Sequence, residues 1–233
     1  MKEIFKNRGS AAKVLVFVLM ILLSCEVGTE TAKDKAQSKS EKNYQKEYNF
    51  SEDWFTGRLP TWKRILRGFK GKSNLQYLEI GVYEGRSIIW MLENILTHPT
   101  SKATGIDTFP GQLKKRFLDN LKLGGFVDRV NLIQGKSQIE LRRLPLNTYD
   151  IIYIDGSHLA KDVLTDAALS WDLLKDNGIL IFDDYKWMLD RPVQLRPKSA
   201  IDSFLVCFGG CCEVVHRGYQ MIVKKQNLWE LLK

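Results

Sequence analysis

A doubly wound α/β domain is the fold the sequence predicts. Two observations carry the prediction. Five short apolar runs alternate with helical patterns, which implies a parallel sheet with helices on both faces, and a further pair of strands flanks a tight turn near the end. The chain has 233 residues, 44% hydrophobic and 27% charged, which suits one such domain with a substantial core plus an appendage.

Ahead of the first strand, Asp53 to Phe69 is aromatic and amphipathic, a lid or dimer helix or else a segment packed over a sheet edge. The five buried strands read as Leu75 to Ile80, Ala103 to Asp107, Val130 to Gln134, Asp150 to Asp155 and Gly178 to Asp183. Helical patterns fall between them at Ser87 to Leu96, Leu113 to Leu121, Gln138 to Leu144 and Leu159 to Leu174. Ser199 to Phe208 reads as a last helix, in whose apolar run Cys207 is expected to be core. Strands Cys212 to His216 and Tyr219 to Lys224 then meet at the turn Arg217-Gly218. The domain is expected over residues 47–233.

The first strand leads through a glycine turn into a helix start, Tyr77-Leu-Glu-Ile-Gly-Val-Tyr-Glu-Gly-Arg-Ser87. Glu79, Gly81 and Gly85 stand as acid-x-Gly-x-x-x-Gly, where glycines let backbone approach a ligand and a new helix offers free N–H groups. NAD fits this spacing poorly, because a pyrophosphate calls for G-x-G-x-x-G. A second strand ends in Asp107, an acid placed to bind ribose hydroxyls. After the third strand, Gly135-Lys-Ser137 leaves Ser137 two roles, a ligand contact or an ordinary helix N-cap.

Carboxylates close the next two strands. Asp155 ends the fourth, with His158 three residues on, and Asp183 and Asp184 end the fifth. Open α/β sheets bind ligands at these ends. Acids gathered there repel one another unless a cation sits between them, and all-oxygen ligation favours a hard ion, Mg²⁺ first, with Ca²⁺ or Mn²⁺ open. Adjacent strand residues face opposite ways, so Asp183 and Asp184 reach one ion only if the chain bends between them.

The glycine-turn motif resembles motif I of the class I S-adenosylmethionine-dependent methyltransferases. From about Tyr48 to Lys225 the chain is similar to the metal-dependent small-molecule O-methyltransferases that include macrolide-sugar enzymes and cephalosporin hydroxylase-like proteins. The resemblance implies a Rossmann-like, mostly parallel seven-stranded sheet ending in an antiparallel β-hairpin. It implies S-adenosylmethionine as cofactor, held by Glu79, Gly81, Gly85, Ser87, Asp107, Ser137 and Asp155. It implies Mg²⁺ on Asp155, Asp183 and Asp184, with His158 and Asp155 catalytic and His158 the general base. The acceptor would be a hydroxyl of a sugar or other small molecule, and Tyr185 to Lys198 the connection that selects it. Homo-oligomers are possible.

The amino terminus is a separate object. Lys2, Lys6, Arg8 and Lys13 precede ten unbroken apolar residues, Val14 to Leu23, then Ser24 and Cys25. That is the pattern of a secretory signal, too short to read as an ordinary membrane span. Leu22-Leu-Ser-Cys25 also resembles a bacterial lipobox, and an uncleaved anchor is the other reading. Residues 1–25 are therefore expected to attach the chain to a membrane, on a side left open, and Glu26 to Lys46 to be a polar, disordered linker. Export would carry the domain away from its cofactor. Two alternatives thus stand beside the small-molecule enzyme: an RNA or protein methyltransferase, and a non-catalytic membrane-tethered binding module.

Charge and cysteines narrow these. The net charge is +8, but residues 1–50 carry nine Lys/Arg against six Asp/Glu, so 26 bases and 21 acids remain, a mild +5. Lys114-Lys-Arg116 and Arg142-Arg143 suit solvated faces, no aromatic and basic stripe is present, and no nucleic acid is expected as a partner. Cys25, Cys207, Cys211 and Cys212 contain no C-x-x-C pair, so neither a disulfide framework nor a structural zinc is implied.

Overall fold

The computed structural model describes residues 48–227. The signal-like segment expected at 1–25 and the linker at 26–46 lie outside the described residues. Seven strands form one sheet: β1 (Gln76–Ile80), β2 (Lys102–Asp107), β3 (Val130–Gln134), β4 (Tyr149–Ile154), β5 (Leu174–Phe182), β6 (Cys212–Arg217) and β7 (Met221–Lys225). Their spatial order is β3-β2-β1-β4-β5-β7-β6. The first five pair in parallel, and β7 is antiparallel to both β5 and β6. The chain winds out from β1 to β3 and returns to β4 on the other side, so a crevice opens between the loops that follow β1 and β4.

Strand register sets what lines that crevice. Ile80 pairs with Ile106 on one side and Ile154 on the other, and Ile154 pairs with Phe182. The residues that follow, Gly81, Asp107, Asp155 and Asp183, consequently share one rim. The ladder continues into it: the N–H groups of Gly81, Asp155 and Asp183 donate to the carbonyls of Ile106, Ile80 and Ile154 at 2.8, 2.8 and 3.0 Å.

Helices α1 (Leu59–Ile65), α2 (Arg86–Asn94), α3 (Leu113–Gly124), α4 (Ser137–Glu140), α5 (Ala160–Leu173) and α6 (Pro197–Phe208) connect the strands. Because side chains alternate along a strand, β4 sends Ile152 and Ile154 to one face and Tyr153 to the other. On the first face the two isoleucines share a core with Trp171 of α5 and with Ala200, Ile201 and Phe204 of α6. The Phe204 ring lies 5.4 Å from Trp171 and 5.3 Å from Phe182. On the second face Trp62 of α1, fully buried, meets Tyr153 at 4.9 Å, Phe55 at 4.9 Å and Trp90 at 5.9 Å, all edge-on.

Several sequence expectations shift. The segment Asp53 to Phe69 is not one helix, because α1 is short and flanked by 3₁₀ turns at Thr56–Arg58 and Leu66–Phe69. It packs over the sheet through Trp62 and Leu66 while its leading residues reach the crevice. The helix expected at Gln138 to Leu144 is only α4 plus a 3₁₀ turn at Leu141–Arg143, since Pro145 holds Leu144 extended. β5 begins earlier than expected, at Leu174, with a left-handed residue at Asn177 before its main run. Cys207 is exposed rather than core, because it falls outside the Ala200, Ile201, Phe204 and Phe208 stripe that meets the sheet layer.

The rim also explains Gly81. It is left-handed (φ 88°), and a Cβ there would stand 2.1 Å from the carbonyl oxygen of Asp155. The glycine lets the loops after β1 and β4 pass each other, a packing demand within the fold. Gly81→Ala is expected to lower the unfolding free energy by about 2–4 kcal/mol, from left-handed strain plus overpacking. Urea unfolding measures this, and a variant as stable as the parent would show that the two loops are not in close contact.

Candidate active site

The crevice is a cavity of about 1060 Å³. Its two ends differ in chemistry. At the β1–β2–β3 end, Asp107 is fixed by the backbone: its Oδ2 accepts from the Tyr83 N–H at 2.9 Å and its Oδ1 from the Phe109 N–H at 2.7 Å. Each oxygen keeps a lone pair, and the residue lines the cavity beside Gly81 and Tyr83. Ser137 and Gln138, at the head of α4, complete this end with Gly135 and Lys136.

The β4–β5 end carries the acids. Tyr153, buried behind the rim, donates its hydroxyl toward Asp155 Oδ2 at 2.9 Å and makes a still shorter bond to Asp183 Oδ2. One hydroxyl has one proton, so the two carboxylates cannot both be satisfied by it while both are ionised. Burial pushes the Asp155 carboxyl well above the usual range, and the negative charges of Asp183 and Asp184 add to the rise. Asp183 is raised by burial too, although the Tyr153 bond works against the rise. Gln220 donates to Asp183 Oδ2 at 3.1 Å and accepts from the Trp62 indole at 2.8 Å, tying the acid to the aromatic core.

Asp184 is left-handed (φ 58°), which supplies the bend that adjacent acids require. It turns Asp184 away from Asp183. Its Oδ2 lies 2.7 Å from His158 Nε2, and its Oδ1 accepts from the Tyr219 hydroxyl at 2.9 Å. The hydrogen bond to Asp184 raises the His158 pKa, against the effect of burial. The His158 ring rests on Trp187 at 4.4 Å, and Arg58 lies over the Tyr219 ring at 3.8 Å.

Of the residues expected at the site, Gly81, Asp107, Ser137, Asp155, His158, Asp183 and Asp184 line this one cavity. Glu79 and Gly85 do not. Glu79 is fully buried, accepting from Tyr77 at 2.7 Å and, in a shorter bond, from Ser87, and a Cβ on Gly85 would meet the Phe117 ring at 2.9 Å. Ser87 borders only a small side pocket. The three-carboxylate set expected for a metal is not assembled: among the described residues no three His, Cys, Asp or Glu side chains form a metal-holding group. The physical reason is that Asp184 is taken up by His158 and Tyr219. Tyr153, Tyr219, Gln220, Arg58 and Gln138 escaped the sequence reading, because their roles depend on partners distant in the chain that no local pattern announces.

A sequence profile described as a methyltransferase domain matches residues 78–185, from β1 through the acids that follow β5. Over that stretch, a little under half of its length, the chain is similar to a methyltransferase domain. An uncharacterized protein of Acanthamoeba polyphaga mimivirus is 32% identical over 122 residues, 49% of this chain and 53% of that protein, so the match spans about half of the relative's length. An O-methyltransferase from Bacillus cereus, solved with SAH, superposes with a TM-score of 0.59 at 14% identity, over 90% of this chain and 97% of that one. The methyltransferase MycE of the mycinamycin biosynthetic pathway, solved with Mg, SAH and mycinamycin VI, gives 0.57 at 20% identity, over 93% and 63%. At these identities the likeness is one of fold.

Glu79 is fully buried and does not line the cavity. Burial lifts its carboxyl from 4.5 to about 8, although Ser87 and Tyr77 pull the other way. The folded state thus keeps a proton that the unfolded chain releases above 4.5, so this group's contribution to stability falls as pH rises toward 8 and then levels off. Glu79→Gln, which stays neutral, is expected to melt progressively higher than the parent across that window. Melting curves between pH 5 and 9 check it, and a difference independent of pH would show that Glu79 is ionised throughout.

Proposed function

We propose that the chain is an S-adenosylmethionine-dependent O-methyltransferase for a hydroxyl of a sugar or other small molecule, with His158 as general base and a divalent cation at the acid cluster. One observation carries the reading. Asp107 and the His158–Asp184 pair line opposite ends of a single cavity, a cofactor-type acid at one end and a base at the other.

The residues divide the work. Asp107, held by two backbone N–H groups, presents its remaining lone pairs to ribose hydroxyls, and Ser137 and Gln138 take the base. When bound, S-adenosylmethionine supplies a methyl group on positively charged sulfur, open to in-line displacement by an oxygen nucleophile. His158 gives its Nε2 hydrogen to Asp184, which fixes the ring and leaves Nδ1 to take the proton of the acceptor hydroxyl. Trp187 stacks on that ring and limits its rotation. Holding both reactants in one cavity replaces a bimolecular encounter.

The acid cluster fits a cation by charge. Asp155 and Asp183 share one phenolic proton and both resist ionisation, so a further positive charge there relieves their repulsion. Asp155 and Asp183 would hold Mg²⁺ there, and it would supply Lewis-acid polarisation of the acceptor. MycE, whose structure holds Mg, lends support by its fold. We propose further that residues 1–25 attach the chain to a membrane. Recovery of the full chain in the soluble fraction after cell lysis would remove it.

Calorimetric titration is expected to show micromolar binding of S-adenosylhomocysteine, weakened about tenfold or more by Asp107→Ala. With labelled S-adenosylmethionine and a panel of free and nucleotide-linked sugars, His158→Ala should slow methyl transfer about 10²–10⁴-fold, and chelator should suppress it. A folded protein that binds no S-adenosylhomocysteine would sink the methyltransferase reading. Transfer that survives chelation would remove the cation alone.

A further inference from the structure

Asp166 is a buried acid on the inner side of α5 that the proposed chemistry does not use. Its Oδ2 accepts from Ser137 Oγ at 2.9 Å, and its Oδ1 accepts from Gln138 Nε2 at 3.1 Å. Both donors line the cavity. An acid inside a helix layer thus holds two adjacent side chains at the end opposite the carboxylate cluster.

The consequence follows from the two ends of an amide. A carboxylate only accepts, so Gln138 must turn its NH₂ toward Asp166 and its Oε1 away. That oxygen accepts no hydrogen bond from a described residue, and it is not among the buried side-chain atoms left without a partner. It is an open acceptor on a residue that lines the cavity. Burial, opposed by the Ser137 and Gln138 bonds, lifts the Asp166 carboxyl to about 6, with Asp162 adding a smaller rise. At pH 7.5 it is the ionised, accepting form.

We propose that Asp166 is a positioning residue that gives the site its base specificity: by clamping the Gln138 amide, it presents Oε1 as an acceptor that matches a 6-amino purine and opposes a 6-oxo purine. The inference rests on the cofactor reading above. An acceptor facing an exocyclic amine gains a hydrogen bond, whereas the same oxygen facing a carbonyl leaves two acceptors opposed and unpaired. Without the clamp the amide is free to rotate and serve either base.

The test compares S-adenosylhomocysteine with S-inosylhomocysteine, titrated calorimetrically into the full-length protein at pH 7.5. The parent is expected to prefer the adenine compound by about tenfold or more. In Asp166→Asn, whose own amide can donate to Gln138, the preference should fall to within about threefold. Gln138→Met, which leaves Asp166 in place, should abolish the same preference and covers the case in which the Asp166 variant does not fold. Equal weakening of both compounds with the preference intact would assign Asp166 a merely structural role and overturn the proposal, as would a parent that does not discriminate. A parent that binds neither compound would overturn the cofactor reading itself and this inference with it.

Discussion

The phenolic proton of Tyr153 is the constraint on which the rest of the site depends. Two half-buried carboxylates, Asp155 and Asp183, converge on one hydroxyl that can satisfy only one of them as an anion. Such an arrangement costs free energy, because an ionised acid out of water needs a partner. The surrounding fold supplies what hold it can: Gln220 from the closing hairpin, the Asp184 N–H from the following turn, and Trp62 behind Gln220. The aromatic cluster of Phe55, Trp62, Trp90 and Tyr153 therefore does more than fill the second face of the sheet. It fixes the height at which the hydroxyl meets the acids.

Charge is graded from this point outward. Asp184, turned aside by its left-handed backbone, gives up its oxygens to His158 and Tyr219. A pair that reads as two equivalent ligands thus divides into one acid that faces a second acid and one that orients an imidazole. At the far end of the cavity, Asp107 rests on two backbone N–H groups. Glu79, fully buried and held only by the hydroxyls of Tyr77 and Ser87, resists ionisation instead. What a carboxylate does here is decided by the balance between its burial and the donors around it.

The sheet was legible because each strand is a self-contained apolar run, and the crossing order followed from alternation with helices. Strand ends told where the acids would gather, since register makes residues that follow paired isoleucines neighbours on one rim. The motif glycines were legible as turns, yet their reason was not: Gly81 clears Asp155 and Gly85 clears Phe117, contacts from distant segments. Glu79 looked like a cofactor ligand because its partners, Tyr77 and Ser87, are ordinary residues on a strand and a helix. Tyr153 read as one more apolar strand residue, and Tyr219 and Gln220 as the start of the last strand. What the sequence concealed was the roles created by contacts between segments distant in the chain.

The hairpin that closes the sheet contributes Tyr219 and Gln220 to the acids, whereas the connection from Tyr185 to Arg196 gives them no side-chain hydrogen bond. The two neighbouring segments therefore differ in what their lengths must satisfy. The hairpin turn works as a gauge whose length is locked to the spacing of Asp183 and Asp184. In the connection only Trp187, stacked on His158, is tied to that balance, so the stretch beyond it can change in length while the acids keep their partners.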